Sequence, residues 1–187
     1  MKDKVKYTSV EDEKVVYSCH IFDVAEEKMQ SPIGDTATFT KIKSPDWVTV
    51  ILLNSSNQLI TVTQWRHGIK DIQEEFVCGC VEKNEAPIVA ACREVKEETG
   101  FNVGSIKELW SGFTNPAFMT NKMHIFYAVT TDDPAEKQNL DKQEFITVNF
   151  SHLHEFTPKS AMQYLAWVLA NLPELLANGE FNKNATK

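Results

Sequence analysis

Residues 79–101 read GCVEKNEAPIVAACREVKEETGF. Pro87 near the start of a helical pattern and Gly100 just past its end are the usual asymmetry of helix termini, so the spacing predicts a helix over 87–99. Its apolar residues Ile88, Ala91, Cys92 and Val95 recur at intervals of three and four and form one core-facing stripe. Glu94, Glu97 and Glu98 share another face, away from that stripe. Like charges so placed repel by roughly 0.2–0.5 kcal/mol per pair, so a positive partner is expected among them. Hard oxygen ligands clustered on one element suit Mg²⁺ or Mn²⁺, and Mg²⁺ keeps waters and shares itself with substrate phosphates.

Outward from this helix the pattern turns to strands. Upstream lie KVVYSCHIF (14–22), TATFTKIK (36–43), WVTVILL (47–53) and QLITVTQW (58–65), separated by turn-rich pieces such as Ser31-Pro32-Ile33-Gly34-Asp35. The nearly unbroken apolar run from Trp47 to Leu53 marks a strand buried on both faces, which implies a sheet covered on two sides. Downstream, strand patterns return at 106–112, 123–130 and 145–150. A helix follows over about 158–177, with Met162, Leu165, Ala166, Leu169 and Leu172 as its core stripe. Strands and helices intermix without regular βα alternation, which predicts an α/β sandwich of the α+β kind around a mixed sheet.

A chain of 187 residues suffices for one domain with a short appendage. The division expected is an N-terminal strand segment over 1–45 and a main domain over 46–187. With 42% hydrophobic and 24% charged residues the composition is that of a globular protein. A formal net charge of −7 argues against nucleic acid or an anionic membrane as partner. An anionic substrate then needs a local positive source. No secretory pattern opens the chain and no apolar run reaches the length of a membrane span, so a cytoplasmic location is expected. Cys78-Gly79-Cys80 is too tight for a zinc knuckle or a redox pair, and Cys19, Cys78, Cys80 and Cys92 read as reduced core residues.

The spacing from Gly79 to Phe101 resembles the signature of the Nudix family, G-x5-E-x7-R-E-U-x-E-E-x-G-U with U a large apolar residue. Gly79, Glu85, Arg93, Glu94, Val95, Glu97, Glu98, Gly100 and Phe101 all match. The resemblance implies the family's α/β/α sandwich and metal-assisted attack on a diphosphate. It makes Glu94 and Glu98 the main metal ligands with Glu97 assisting. Arg93 is then the residue that orients a neighbouring glutamate, and Glu85 is structural.

Flanking residues narrow the substrate. Gln64-Trp65-Arg66-His67-Gly68 followed by Glu74-Glu75-Phe76-Val77-Cys78-Gly79 is similar to the Q-[YW]-R-x-G … E-x-P-A-G run of the ADP-ribose and nucleotide-sugar pyrophosphatase branch. In that branch the arginine, here Arg66, contacts the diphosphate, as a planar donor fork suits. The alanine carbonyl reaches a metal there; Cys78 stands in its place and is expected to act through its own backbone carbonyl. Pro116, 16 residues after Gly100, resembles the ADP-ribose pyrophosphatase subgroup. Trp65 and Phe113 adjoin these motifs and join Arg66 and Pro116 as substrate-binding candidates. The general base in such relatives comes from an acidic loop before the last strand. Glu144 aligns best, Asp141 and Glu136 are fallbacks, and the box glutamate Glu97 is the alternative.

The resemblance also implies a homodimer built through the N-terminal strands, with Phe22, Phe39 and Trp47 as candidates for base stacking. The activity expected is Mg²⁺-dependent hydrolysis, with Mn²⁺ as substitute, of ADP-ribose or a nucleoside diphosphate sugar to a nucleoside monophosphate and a sugar phosphate. The alternatives are another nucleoside diphosphate derivative, such as a dinucleoside polyphosphate or GDP-mannose alone, and a non-catalytic ADP-ribose-binding sensor.

Overall fold

The computed structural model of the protein describes residues 2–131, 134, 136–140, 142 and 144–177. The chain divides into two compact units, one formed by the residues up to Asp46 together with Gly112–Met123, the other by Trp47–Ser111 and the chain from His124 onward.

The first unit is an antiparallel sheet of β1 (Thr8–Ser9), β2 (Lys14–Ser18), β3 (Asp23–Gln30) and β4 (Thr36–Lys43). β3 is central, with β4 along its whole length on one side and β1 and β2 in line on the other. The Ser31–Asp35 turn joins β3 to β4, with Gly34 at φ 98°, a conformation open to glycine. The sequence pattern does not signal β3. DVAEEKMQ carries four charged residues, two of which are neutralised laterally: Lys41 bridges Glu13 and Glu27, and Lys28 pairs with Glu11. Cross-strand ion pairs take the place of apolar alternation there.

The second unit has a seven-stranded sheet with β5 (Trp47–Leu53), β6 (Leu59–Arg66), β7 (Asp71–Glu75), β8 (Val77–Cys80), β9 (Val103–Phe113), β10 (Lys122–Thr130) and β11 (Thr147–Ser151). The path through it runs β11-β6-β5-β10-β9. β5 and β6 pair only at the hairpin end, Leu52 with Ile60 and Leu53 with Leu59. Beyond that they diverge. β7 then pairs with β6 and β8 with β5, and the chain crosses the gap at Phe76.

Helix α1 (Pro87–Thr99) has Pro87 in its first turn and Gly100 in the left-handed conformation at φ 77°, the start and stop that the punctuation predicts. Val48, Val50 and Leu52 of β5 form one core with Ala90, Ala91 and Val95 of α1. The opposite face of β5 turns to α2 (Ala161–Ala177), where Leu53 lines a crevice with Ala170 and Asn171. The sheet is therefore covered on two sides, and the sandwich expected from Trp47–Leu53 is present. Burial of each large apolar side chain in this strand contributes about 1.5–3 kcal/mol.

Both helical stripes differ in detail from the periodicity. On α1 the buried positions are Ala90, Ala91, Val95, Glu98 and Thr99, whereas Ile88 is 46% exposed and Cys92 only partly covered. The small Ala90 and Ala91 are fully buried at the contact with β5. Among the described side chains of α2 the buried residues are Gln163, Ala166 and Asn171; Met162, Leu165, Leu169 and Leu172 are intermediate. No helix among the described residues is long and apolar enough to cross a membrane.

Candidate active site

The site begins where β8 meets α1. Gly79 faces the helix, and a Cβ built on it would lie 2.0 Å from Cδ and Oε1 of Glu94. The Glu94 carboxylate thus rests directly on the Gly79 backbone, and any side chain there would displace it.

Arg93 holds the neighbouring carboxylates. Nε and Nη2 donate as a fork to the two oxygens of Glu85, each at 2.9 Å. Nη2 also donates to the Cys80 carbonyl at 2.9 Å, and Nη1 donates to Glu94 Oε1 at 2.7 Å and Glu97 Oε2 at 3.0 Å. All five guanidinium protons are committed. These contacts, Glu85 first, raise the Arg93 pKa further and hold Glu85 below the usual carboxylate range. Arg93 is therefore the positive partner that the glutamate spacing called for, bonded to both Glu94 and Glu97. No three His, Cys, Asp or Glu side chains among the described residues converge as a closed metal cage.

Glu98 differs from its neighbours. The sequence spacing set it on the acidic face, yet it is only 5% exposed. Its Oε2 is buried without a hydrogen-bond partner. Burial, then the Glu94 charge and the Glu144 charge, push its pKa up to about 8, against the Cys78 backbone amide and Arg66, which lower it. Burial first, and then Glu97 and Glu144, also raise Glu94, opposed by Arg93. Two desolvated carboxylates with an unpartnered oxygen are suited to a divalent cation of hard character. Bound there, a divalent ion supplies positive charge against a diphosphate and lowers the pKa of a water. Glu94 and Glu98 are the residues that would hold it.

Arg66, at the end of β6, lies across the ladder from Asp71, and its side chain reaches back along the sheet to Glu75, at the end of β7. Arg66 Nε donates to Glu75 Oε1 at 2.9 Å, its Nη2 bonds Glu75 Oε2, and Nη2 also meets Cys78 Sγ at 3.4 Å. Glu75 raises the Arg66 pKa; burial, then the Glu98 charge, push the Cys78 thiol up, although Arg66 opposes this. The thiol is thus a neutral neighbour of the guanidinium. Nη1 makes no hydrogen bond among the described residues. Trp47, Trp65, Arg66, Glu75, Cys78 and Met162 line one cavity of about 520 Å³.

The structure gathers Arg66, Cys78, Arg93, Glu94, Glu97, Glu98 and Glu144 within one unit, Glu144 near enough to act electrostatically on both Glu94 and Glu98. Of the fallbacks, Glu136 forms an exposed ion pair with Lys96 at 2.9 Å, and Asp141 lies outside the described residues. Phe113 and Pro116 belong to the other unit. There Phe113 lies under Lys122 Nζ, 5.4 Å from its ring centroid. Pro116 lines a second cavity of about 370 Å³ with Tyr7, Met29, Phe39 and Phe118. Phe22 pairs with Tyr17 instead, at 6.4 Å. Sequence reading assigned no site role to Glu75 or Gln163. Glu75 was visible only as part of the E-x-P-A-G-like run, and Gln163, which accepts the Phe76 N–H at 2.9 Å, lies outside the apolar stripe of its helix.

Comparison with known proteins agrees with this geometry. The NUDIX domain model matches residues 43–172. The chain is 29% identical over 133 residues to the ADP-ribose pyrophosphatase of Bacillus subtilis (strain 168), covering 71% of this chain and 72% of that one. It is 29% identical over 150 residues to the methanol dehydrogenase activator of Bacillus methanolicus, covering 80% and 78%. A crystal structure of an ADP compounds hydrolase superposes with a TM-score of 0.75 at 21% identity, covering 93% of this chain and 96% of that one, and shares its fold. Glu85, Arg93, Glu94, Glu97 and Glu98 stand within the matched region, on and beside a helix between Gly79 and Gly100, and the chain belongs to the Nudix family.

Proposed function

We propose that this chain is a Nudix pyrophosphohydrolase that cleaves the diphosphate of ADP-ribose or a related nucleoside diphosphate sugar, with Mg²⁺ as the ion and Mn²⁺ as substitute. The observation that carries the reading is the pair Glu94 and Glu98, desolvated side by side with an unpartnered oxygen, next to an arginine whose Nη1 is unengaged. Glu94 and Glu98 hold the ion, with the Cys78 carbonyl as a further ligand, a role supported by the Cys78 amide bonding to Glu98. Arg66 binds a phosphate oxygen through the free part of its fork, and Glu75 keeps that fork oriented. Trp65 borders the same cavity and serves the substrate's body. Pro116 and Phe113 are assigned to substrate contact by their resemblance to the ADP-ribose subgroup. Glu144 accepts a proton from the water that attacks phosphorus. The bridging P–O bond breaks, and a nucleoside monophosphate and a sugar phosphate leave.

The four free cysteines suit the reducing cytoplasm, which is the proposed location. A homodimer through the first unit is part of the same reading, since Val15, Val16, Tyr17 and Ile21 are exposed there; light scattering at micromolar concentration checks it, a monomer mass rejecting it. The substrate is tested by phosphate release, after phosphatase treatment, from ADP-ribose, GDP-mannose, ADP-glucose, UDP-glucose, diadenosine polyphosphates and nucleoside triphosphates with Mg²⁺ or Mn²⁺. Turnover of ADP-ribose or a nucleotide sugar is expected, and inertness towards every sugar-linked diphosphate overturns the proposal.

A further inference from the structure

The loop that carries Glu144 also closes the C-terminal end of α1. A helix leaves its last carbonyls without intrahelical partners. Here the Lys96 carbonyl accepts the Gly100 N–H at 2.9 Å, and the Glu97 carbonyl accepts the Asn139 N–H at 2.9 Å. The Glu98 carbonyl accepts from the side-chain amide of Gln138 at 2.5 Å. The same Gln138 Nε2 donates to the Ile146 carbonyl at 3.2 Å. The Glu136 N–H bonds the Gly100 carbonyl at 3.3 Å, so close that a Cβ on Gly100 would lie 2.2 Å from the Glu136 carbonyl oxygen. Leu140 packs against the core cluster that contains Ile146.

Among these contacts Gln138 has a special place. Its two amide protons tie a proposed metal ligand, Glu98, to the residue two positions beyond the proposed base, Glu144. The Lys96–Glu136 ion pair is exposed and contributes little by itself. We propose that Gln138 is a positioning residue for catalysis: by bridging the Glu98 and Ile146 carbonyls it sets the position of the Glu144 carboxylate relative to Glu94 and Glu98. This deepens the functional reading above and rests on its assignment of Glu144.

Gln138→Leu keeps the side-chain size without the donors, and Gln138→Glu places an acceptor against two carbonyls. Each is expected to lower kcat by about 10- to 100-fold with KM changed less than about threefold, the scale of a misplaced catalytic group. In a Glu144→Gln background the same substitutions are expected to change kcat by less than about twofold, because the group they position is already gone. Hydrogen exchange of the 136–146 amides, measured on the metal-free protein without substrate, is expected to accelerate at least about tenfold in both variants. Equal losses in the two backgrounds overturn the proposal, as does unchanged exchange. A Glu144→Gln variant with wild-type turnover overturns both assignments to this loop, and leaves the ADP-ribose reading to the substrate panel.

Discussion

Five donors of one guanidinium reach five acceptors at Arg93, and a planar fork is needed for that; lysine offers three protons at a single point. Gly79 completes the arrangement from the other side. A methyl group there meets the far end of the flexible Glu94 side chain, so Gly79→Ala is expected to leave the fold intact and displace the carboxylate. Turnover falls by about 100-fold or more for a misplacement of this size, while circular dichroism stays that of the wild type; retention of full activity would show that Glu94 does not need its observed position. Glu98 makes a second prediction. Its carboxyl titrates ordinarily at 4.5 and at about 8 in the folded protein, so between those values the native state holds a proton that the unfolded chain releases. Its contribution to the stability of metal-free protein is therefore complete at low pH and lost as pH rises through 8. Glu85, lowered by Arg93, acts with the opposite sign and below this window. In chelator, the Tm of the wild type is expected to fall relative to that of Glu98→Gln between about pH 5 and pH 8, and parallel Tm curves would reject the shift.

At the level of elements, the divergence of β5 from β6 makes the site. It admits β7 and β8, puts Glu75 within reach of the Arg66 side chain, and leaves the Phe76 amide at the kink to be satisfied by Gln163 of α2. Gln163→Leu strands that buried N–H, and a loss of about 1–3 kcal/mol in urea denaturation is expected. KM should rise as the Arg66–Glu75 fork loosens. A change below about 0.5 kcal/mol would mean that the kink is held elsewhere. This divergence was not legible in the residue pattern, because it depends on where two strands stop pairing rather than on the composition of either. α1 was legible to the residue, since Pro87 and Gly100 punctuate it, and so was β5, whose apolar run has no reading other than burial on both faces. β3 was hidden because it is charged, with Glu27 answered by Lys41 of β4 and Lys28 by Glu11. Gln163 and Asn171 were hidden because a stripe of leucines draws attention to apolar positions, whereas these two polar residues are buried on α2 as well, each with a specific partner.

Across the whole molecule, the balance of charge links metal, proton and stability. In a chain with net charge −7, burial of Glu98 beside Glu94 disfavours its ionisation, and a divalent cation bound there would favour the charged form. A ligand held only by the folded state stabilises it by about 2.7 kcal/mol at a hundred times its Kd, which for a chain of this length is a rise in Tm of roughly 5–11 °C. The box glutamates that predict this are contiguous in sequence; the loop that brings Glu144 beside them is not, and only the fold joins the two. Because Glu98 carries a proton below about pH 8, the cation must displace it. Apparent affinity for Mg²⁺ is therefore expected to weaken by up to about tenfold per unit as pH falls from 8 to 6. At fixed, sub-saturating Mg²⁺ the Tm increment should shrink over that range, and calorimetric titration at pH 7 in buffers of different ionisation enthalpy should register proton release approaching one per ion. Glu98→Gln is expected to remove both the increment and the proton release. Equal increments at pH 6 and pH 8 in the wild type would show that the ion binds without engaging Glu98.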